Sequence, residues 1–295
     1  MFGANGDFHI TYIGHSTVLI EIDGVRLLTD PLLRRRVAHL GRLVDLPDWD
    51  DWDLDAVLIS HLHWDHMDPP SLRRLGNDTR IIVPAGTRTY LRNRGFHNVT
   101  EIGVEEQIYI RGVRIMATQA EHAGGRPVFG PTPDSVGYVI EGEHQVYFAG
   151  DTDLFPEMTD IGRRNLDVAL LPVWGYGPTL GAGHLDPYRA AQALSYLQPR
   201  AAIPIHWGTY CPMGMNWIQM PFLHHPPYAF ESHAGIIAPE VEVVILEPGE
   251  SYANDQQSTE NSKQKEQKTG NWEPGTVNSR QQTEGTENWE LGTDY

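Results

Sequence analysis

The sequence predicts an α+β fold in which two β-sheets pack face to face and helices cover the outside. Hairpin-forming pairs of β-rich runs dominate the first half of the chain, and strands alternate with helices in the second. Several apolar runs also end directly on His- or Asp-bearing loops. Hairpins followed by strand–helix alternation are what sheet-on-sheet packing with outer helices produces. The spacing alone leaves the topology open.

Phe8–Ile13, Val18–Ile22 and Arg26–Asp30 are β-rich, and Asp23-Gly24 between the last two is a hairpin turn signal. Ala56–Ser60 is a short apolar strand running into a His-rich loop. Ser71–Leu75 is compatible with a helix entered through Pro69-Pro70. Ile81–Val83 reads as a strand, and Thr87–Arg94 as a helix stopped by Gly95. Glu106–Ile110 and Val113–Gln119 form a hairpin about Gly112, and Ser135–Glu141 and Gln145–Ala149 form one about Gly142. Val168–Pro172 is a buried strand. Pro187–Leu197 is a helix with Asp186 at its N-cap. Ala201–Ile205 and Val241–Leu246 are the late strands.

The 295 residues divide by composition. Every Lys lies in the tail, at Lys263, Lys265 and Lys268, and all 14 His lie before it. Residues 1–251 are expected to form one domain, and 252–295 a polar tail. The tail is too poor in aliphatic residues to offset its ordering entropy. It repeats Asn271-Trp272-Glu273-Pro274-Gly275-Thr276 as Asn288-Trp289-Glu290-Leu291-Gly292-Thr293. It reads either as a disordered extension or as a ligand whose two Trp anchor a partner. The whole chain has net charge −17 and the body −13, which argues against nucleic acid as a partner, since phosphate recognition rests on Lys and Arg. The single Cys211 rules out an internal disulfide framework and a Cys-rich zinc site. No basic-then-apolar leader and no run of 18 apolar residues is present, so the expectation is a cytoplasmic protein without an integral membrane segment. The sequence does not give the oligomeric state.

The central signal is His61-Leu62-His63-Trp64-Asp65-His66, placed where the strand Val57-Leu58-Ile59-Ser60 ends. Residues at i and i+2 of an extended loop point the same way. His61 and His63 can therefore grip one ion, while Asp65 and His66 turn toward a second. Imidazole and carboxylate suit Zn²⁺ and other first-row divalent cations. Ala120-Glu121-His122, Ala149-Gly150-Asp151-Thr152 and Ile205-His206-Trp207-Gly208-Thr209 each follow a strand, and Thr29-Asp30-Pro31 precedes them all.

In these motifs, over about residues 8–250, the chain resembles the metallo-β-lactamase superfamily. The resemblance implies a four-layer αβ/βα sandwich with a binuclear cleft at one edge of two mixed sheets. It implies that His61, His63 and His122 hold a first metal, that Asp65, His66 and His206 hold a second, and that Asp151 bridges them. The cofactors expected are two divalent ions, Zn²⁺ by default, with Mn²⁺, Fe²⁺ or Ni²⁺ also able to occupy such sites. The implied chemistry is hydrolysis by a metal-bridging hydroxide, with both metals taking up the developing negative charge. Asp65, His184 and Asp30 are the candidate catalytic residues. Asp30 orients a ligating His or its loop; the other reading is a strand-end Asp before a Pro turn.

Several marks bear on substrate. There is no Cys near a ligand motif, unlike the true β-lactamases that use a Cys ligand. Met67-Asp68-Pro69-Pro70 follows the His motif, where glyoxalase-like thioester hydrolases have glycines. The acidic, Lys-free body fits tRNA-processing relatives poorly. Tyr12-Ile13-Gly14-His15-Ser16-Thr17, Leu28-Thr29-Asp30-Pro31, Phe148-Ala149-Gly150-Asp151-Thr152, His184-Leu185-Asp186-Pro187 and Ala202-Ile203-Pro204-Ile205-His206-Trp207-Gly208-Thr209 resemble the branch that includes the N-acylphosphatidylethanolamine phospholipase D enzymes. The same motifs run through bacterial hydrolases related to the ascorbate-phosphate lactonases. The expected function is thus a phosphodiesterase acting on a small or lipid-like ester. The alternatives are a lactonase or other ester hydrolase, and a metal-dependent binding protein without turnover.

His184, just before a helix, is a substrate-facing residue that protonates a leaving group, or a loop cap. His15 either reaches the cleft as a substrate-binding residue or makes a turn hydrogen bond. Arg34-Arg35-Arg36 either attracts a phosphate or is a solvated face. Met213–Leu223 is either an apolar lid or core. Cys211 is a small apolar filler. His224, His225 and His233 read as structural or surface residues, and His9, His39, His97 and His144 have no assigned chemistry.

Overall fold

The computed structural model describes residues 8–46, 48, 52–124, 130–214 and 220–253. The chain opens with strands β1 (Phe8–Gly14), β2 (Thr17–Ile22) and β3 (Val25–Thr29), then a small hairpin of β4 (Arg36–Val37) and β5 (Leu40–Arg42). Next come β6 (Ala56–Leu58), α1 (Pro69–Arg74), β7 (Ile81–Pro84), α2 (Arg88–Arg92) and β8 (Val99–Ile102). The second half holds β9 (Gln107–Ile110), β10 (Val113–Gln119), β11 (Val136–Glu141), β12 (Gln145–Phe148), α3 (Met158–Gly162), β13 (Val168–Pro172), α4 (Pro187–Leu197), β14 (Ala201–Ile205) and β15 (Tyr210–Pro212). It closes with α5 (Pro221–His224), α6 (Pro226–Ile237), β16 (Glu242–Val243) and β17 (Ser251–Ala253).

Two mixed seven-stranded sheets result. The first has the order β17-β1-β2-β3-β6-β7-β8 and the second β16-β14-β13-β12-β11-β10-β9. A third, three-stranded sheet runs β15-β5-β4. Side chains alternate across a strand, so parity decides which core each residue joins. In the first sheet Ile20, Leu27, Leu58 and Ile82 join Ile115, Ile140, Phe148 and Ile203 of the second in one inter-sheet core. Their neighbours Leu19, Leu28, Val57, Ile81 and Val83 pack outward, against Leu72 of α1, Leu91 of α2 and Phe96. On the far side, Ala190, Leu194 and Leu197 of α4 and Phe230 and Ala234 of α6 cover the second sheet. This is the expected α+β sandwich of four layers.

Both capped helices follow their sequence signals. Asp186 accepts the Arg189 amide at 2.8 Å and Asp68 accepts the Ser71 amide at 3.0 Å, with Pro inside each start. The expected strand Val241–Leu246 is shorter, reduced to Glu242–Val243. The Val244 amide still bonds Ala202, but the next donor across the ladder would be Pro204, which has no N–H. The body also runs past the expected boundary at 251, because Ser251–Ala253 pairs antiparallel with β1. The repeat-bearing tail beyond 253 lies outside the described residues, as do residues 215–219 of the Met213–Leu223 segment. Within that segment Met220 and Leu223 pack with Cys211 in a small buried cluster, and Met213 is exposed. Among the described residues, no helix is long and apolar enough to cross a membrane.

Strands β3, β6, β10, β12 and β14 all deliver a His- or Asp-bearing loop at their C-terminal ends. Those loops meet, as the contacts of their side chains demonstrate.

Candidate metal centre

His61, His63 and His122 come together from two sheets. His63 Nδ1 lies 3.1 Å from His61 Nε2 and 3.1 Å from His122 Nε2. A second group unites Asp65, His66 and His206, joined by His15. The Nε2 atoms of His66 and His206 face each other at 3.2 Å, and Asp65 Oδ2 is 3.5 and 3.7 Å from them. Asp151 lies between the groups. Its Oδ2 is 3.1 Å from His66 Nε2 and 3.9 Å from His61 Nε2, and its Oδ1 is 3.4 Å from His206 Nε2. The first sheet thus supplies His61, His63, Asp65 and His66, and the second supplies His122, Asp151 and His206.

The outward ring nitrogens state which tautomers are present. His122 Nδ1 donates to the Gly183 carbonyl at 2.8 Å and His206 Nδ1 to the Trp174 carbonyl at 2.7 Å. His66 Nδ1 donates to Asp30 Oδ2 at 2.8 Å. Ser60 gives its hydroxyl proton to Asp30 Oδ2 at 2.5 Å, so its oxygen is free to accept from His61 Nδ1 at 2.9 Å. A carbonyl can only accept, so these imidazoles carry hydrogen on the outer nitrogen and turn Nε2 inward. Lone pairs then face lone pairs, and the buried Asp151 Oδ1 has no hydrogen-bond partner. Both deficits are what a divalent cation satisfies, and the residues present fit one.

Electrostatics point the same way. Burial, reinforced by His66, holds His61 well below the usual imidazole range, and burial lowers His122 to about 4 against the pull of Asp151. These rings are neutral, as ligands must be. Burial alone would raise Asp65 and Asp151. It is outweighed for Asp65 by His66 and His15 and for Asp151 by His206 and His66, so both stay ionised well below the usual carboxylate range. His66 is the exception: burial opposes a proton on it, yet Asp151 and Asp65 raise it well above its usual value, and a divalent cation at that place would take the proton's position.

Asp30 is fully buried and does not reach the cleft. Its Oδ1 accepts the Ser60 amide at 2.8 Å and its Oδ2 accepts Ser60 Oγ and His66, so it positions two imidazoles and touches no substrate. Of the two expectations for Asp30, these contacts match the one in which it orients a ligating His and its loop. His15 departs from the expected substrate contact. It is buried, lies against His206 with ring centroids 4.0 Å apart and planes tilted by 36°, and donates Nε2–H to Asp65 Oδ2 at 2.9 Å. Burial lowers its pKa to about 4. His184 lines the cavity over the clusters, with Nδ1 donating to the Gly181 carbonyl at 3.0 Å and Nε2 3.5 Å from Asp151 Oδ2. Burial works against its proton, but the Asp151 carboxylate raises its pKa overall. Arg34 is engaged by Asp68 at 3.0 Å, while Arg35 and Arg36 are exposed and line a different cavity.

Sequence reasoning passed over Ser60, the link between Asp30 and His61. It also passed over Tyr176, Leu180 and His39, which line the cavity. Only the Gly-rich run from Gly175 to Gly183 hinted at a loop shaped around a ligand.

A family model described as the beta-lactamase superfamily domain matches residues 25–207. The chain belongs to the metallo-β-lactamase superfamily. Within it, a metal-dependent hydrolase of Methanopyrus kandleri is 36% identical over 258 residues, covering 82% of this chain and 98% of the relative. An N-acyl-phosphatidylethanolamine-hydrolyzing phospholipase D of Caenorhabditis elegans is 31% identical over 245 residues, covering 70% of this chain and 67% of that one. Among solved structures, a metallo hydrolase from the archaeon Ignicoccus hospitalis is 26% identical with a TM-score of 0.66, covering 84% of this chain and 98% of its own. This superfamily member is a metal-dependent hydrolase with His/Asp metal-binding clusters.

Proposed function

We propose that the chain is a binuclear metal-dependent phosphodiesterase. The observation that carries the binuclear reading is Asp151, whose carboxylate comes within 3.9 Å of imidazoles in both clusters. In this reading His61, His63 and His122 hold one ion, Asp65, His66 and His206 hold the other, and Asp151 serves both. Two divalent ions, Zn²⁺ by its fit to imidazole and carboxylate, would supply a water deprotonated near neutral pH and Lewis acidity toward the phosphoryl oxygens. Asp30 and Ser60 fix the His66 and His61 rings so that Nε2 faces the ions. His15 does the same for the Asp65 carboxylate. His184 holds a proton at Nε2 on the cavity side and delivers it to the leaving alkoxide.

The phosphodiester draws support from the Caenorhabditis elegans relative, whose name gives a phospholipase D activity. A carboxylic ester or lactone is the second reading. It is favoured by one observation, that no Arg or Lys lines the cavity among the described residues. Elemental analysis is expected to give two metals per chain, and the metal-loaded protein is expected to turn over phosphodiesters faster than lactones. Full activity after exhaustive metal removal would refute the mechanism, and turnover of lactones alone would select the second reading.

A further inference from the structure

The clusters form the floor of a cavity of about 450 Å³. One wall is the tip of the β4–β5 hairpin, with Val37, His39 and Leu40. The other is the loop after β13, with Tyr176 and Leu180, and the half-exposed Trp64 completes the rim. Among the described lining residues the charged side chains are Asp65, Asp151 and the protonated His184 that pairs with Asp151, and all three sit at the cluster end of the cavity. A terminal phosphate or carboxylate held between these walls, away from His184, would meet no Arg or Lys among the described residues. A cationic headgroup would meet carboxylates already engaged by His15, His66 and His206. The phenol of Tyr176 is a neutral group near neutral pH. Apart from His39, the walls left to recognise a substrate are apolar or neutral, with Val37, Leu40, Tyr176 and Leu180 facing the space.

We propose that the ester cleaved here carries a compact, uncharged alkyl or aryl group seated between Val37 and Leu40 on one wall and Tyr176 and Leu180 on the other. The inference rests on the hydrolase reading above but not on the choice between phosphorus and carbonyl. At about 450 Å³ the cavity lies toward the small end of ligand pockets, which run from roughly 300 to 1,000 Å³. Two long acyl chains exceed it. Specificity therefore comes from the size of one group adjacent to the scissile bond.

The test uses the full-length chain loaded with Zn²⁺ and two parallel series, alkyl 4-nitrophenyl phosphates and 4-nitrophenyl alkanoates, from one to sixteen carbons. In whichever class is turned over, kcat/KM is expected to rise roughly tenfold for every two methylenes and to level off near a hexyl group. Leu180→Asp is expected to flatten the series, and Leu180→Trp to move the plateau to a shorter chain. A flat wild-type series, a rise continuing to sixteen carbons, or a preference for an added terminal carboxylate would overturn the inference while hydrolysis itself stands. Turnover of the alkanoates alone, with the same plateau, supports the inference and overturns the phosphodiester reading. Turnover of neither class overturns both.

Discussion

Asp30 and His66 are joined by a buried 2.8 Å hydrogen bond from Nδ1 to the carboxylate, on the side of the ring that faces away from the cleft. The same carboxylate accepts hydrogen bonds from the Ser60 amide and hydroxyl. All three partners are donors, so an amide in its place sets its own N–H₂ against one of them. Asp30→Asn is therefore expected to weaken metal binding by roughly 10- to 100-fold. Competition with a chromophoric chelator measures this, and unchanged affinity would remove Asp30 from the positioning role.

Asp151 and His122 separate two kinds of loss. Asp151→Ala is expected to release both metals together with activity. His122→Ala is expected to leave about one metal per chain, because the second cluster keeps Asp65, His66 and His206. Metal content after gel filtration distinguishes them.

His15 contributes a neutral N–H to Asp65. His15→Ala is expected to lower metal affinity by about tenfold, and His15→Gln, whose amide can donate along the same line, to recover part of it. If Gln and Ala behave alike, the hydrogen bond is not what matters. A cobalt-substituted absorption spectrum reads the geometry independently of turnover.

Much of this site was legible in the sequence because its ligands sit at strand ends in recognisable order. His61 to His66 are contiguous, and His122, Asp151 and His206 each close an apolar run. What escaped depends on contacts between distant segments. Ser60 gains its role only because Asp30 and His66 meet across 36 positions of sequence. The hairpin Arg36–Arg42 was masked by its arginines, whose charges read as surface. Its pairing with Tyr210–Pro212 has no local signature. The cavity walls belong to loops whose apolar residues follow no period.

Gly150 connects β12 to Asp151 with φ +62, and a Cβ there would lie 2.6 Å from that of Ser60. Gly150→Ala is expected to cost about 2–3 kcal/mol by strain and overlap. It would also shift Asp151, so thermal unfolding and metal content should fall together. A variant that melts normally but loses metal would place the effect in the carboxylate alone.

Tyr12 sets an alkaline limit. Burial raises its phenol to about 12, and its hydroxyl donates to the Trp207 carbonyl at 3.1 Å. Above pH 10 the unfolded chain loses this proton while the folded chain keeps it. Stability is therefore complete below about pH 10 and is lost as pH rises toward 12, by about 2–3 kcal/mol from this residue. Denaturant titrations at pH 8 and 11 should show the difference narrowing in Tyr12→Phe.

The proposed ligands come from both sheets, and that division reaches beyond catalysis. A cation held as proposed would act as a rivet through the sandwich, since it would require His63 and His122, or His66 and His206, to stay docked. Free metal concentration thereby becomes a thermodynamic variable of the fold, raising the unfolding free energy by RT ln(1 + [M]/Kd) for each independent site. Metal starvation would loosen the seam between the sheets, so the same scarcity that silences the enzyme would also mark it for turnover.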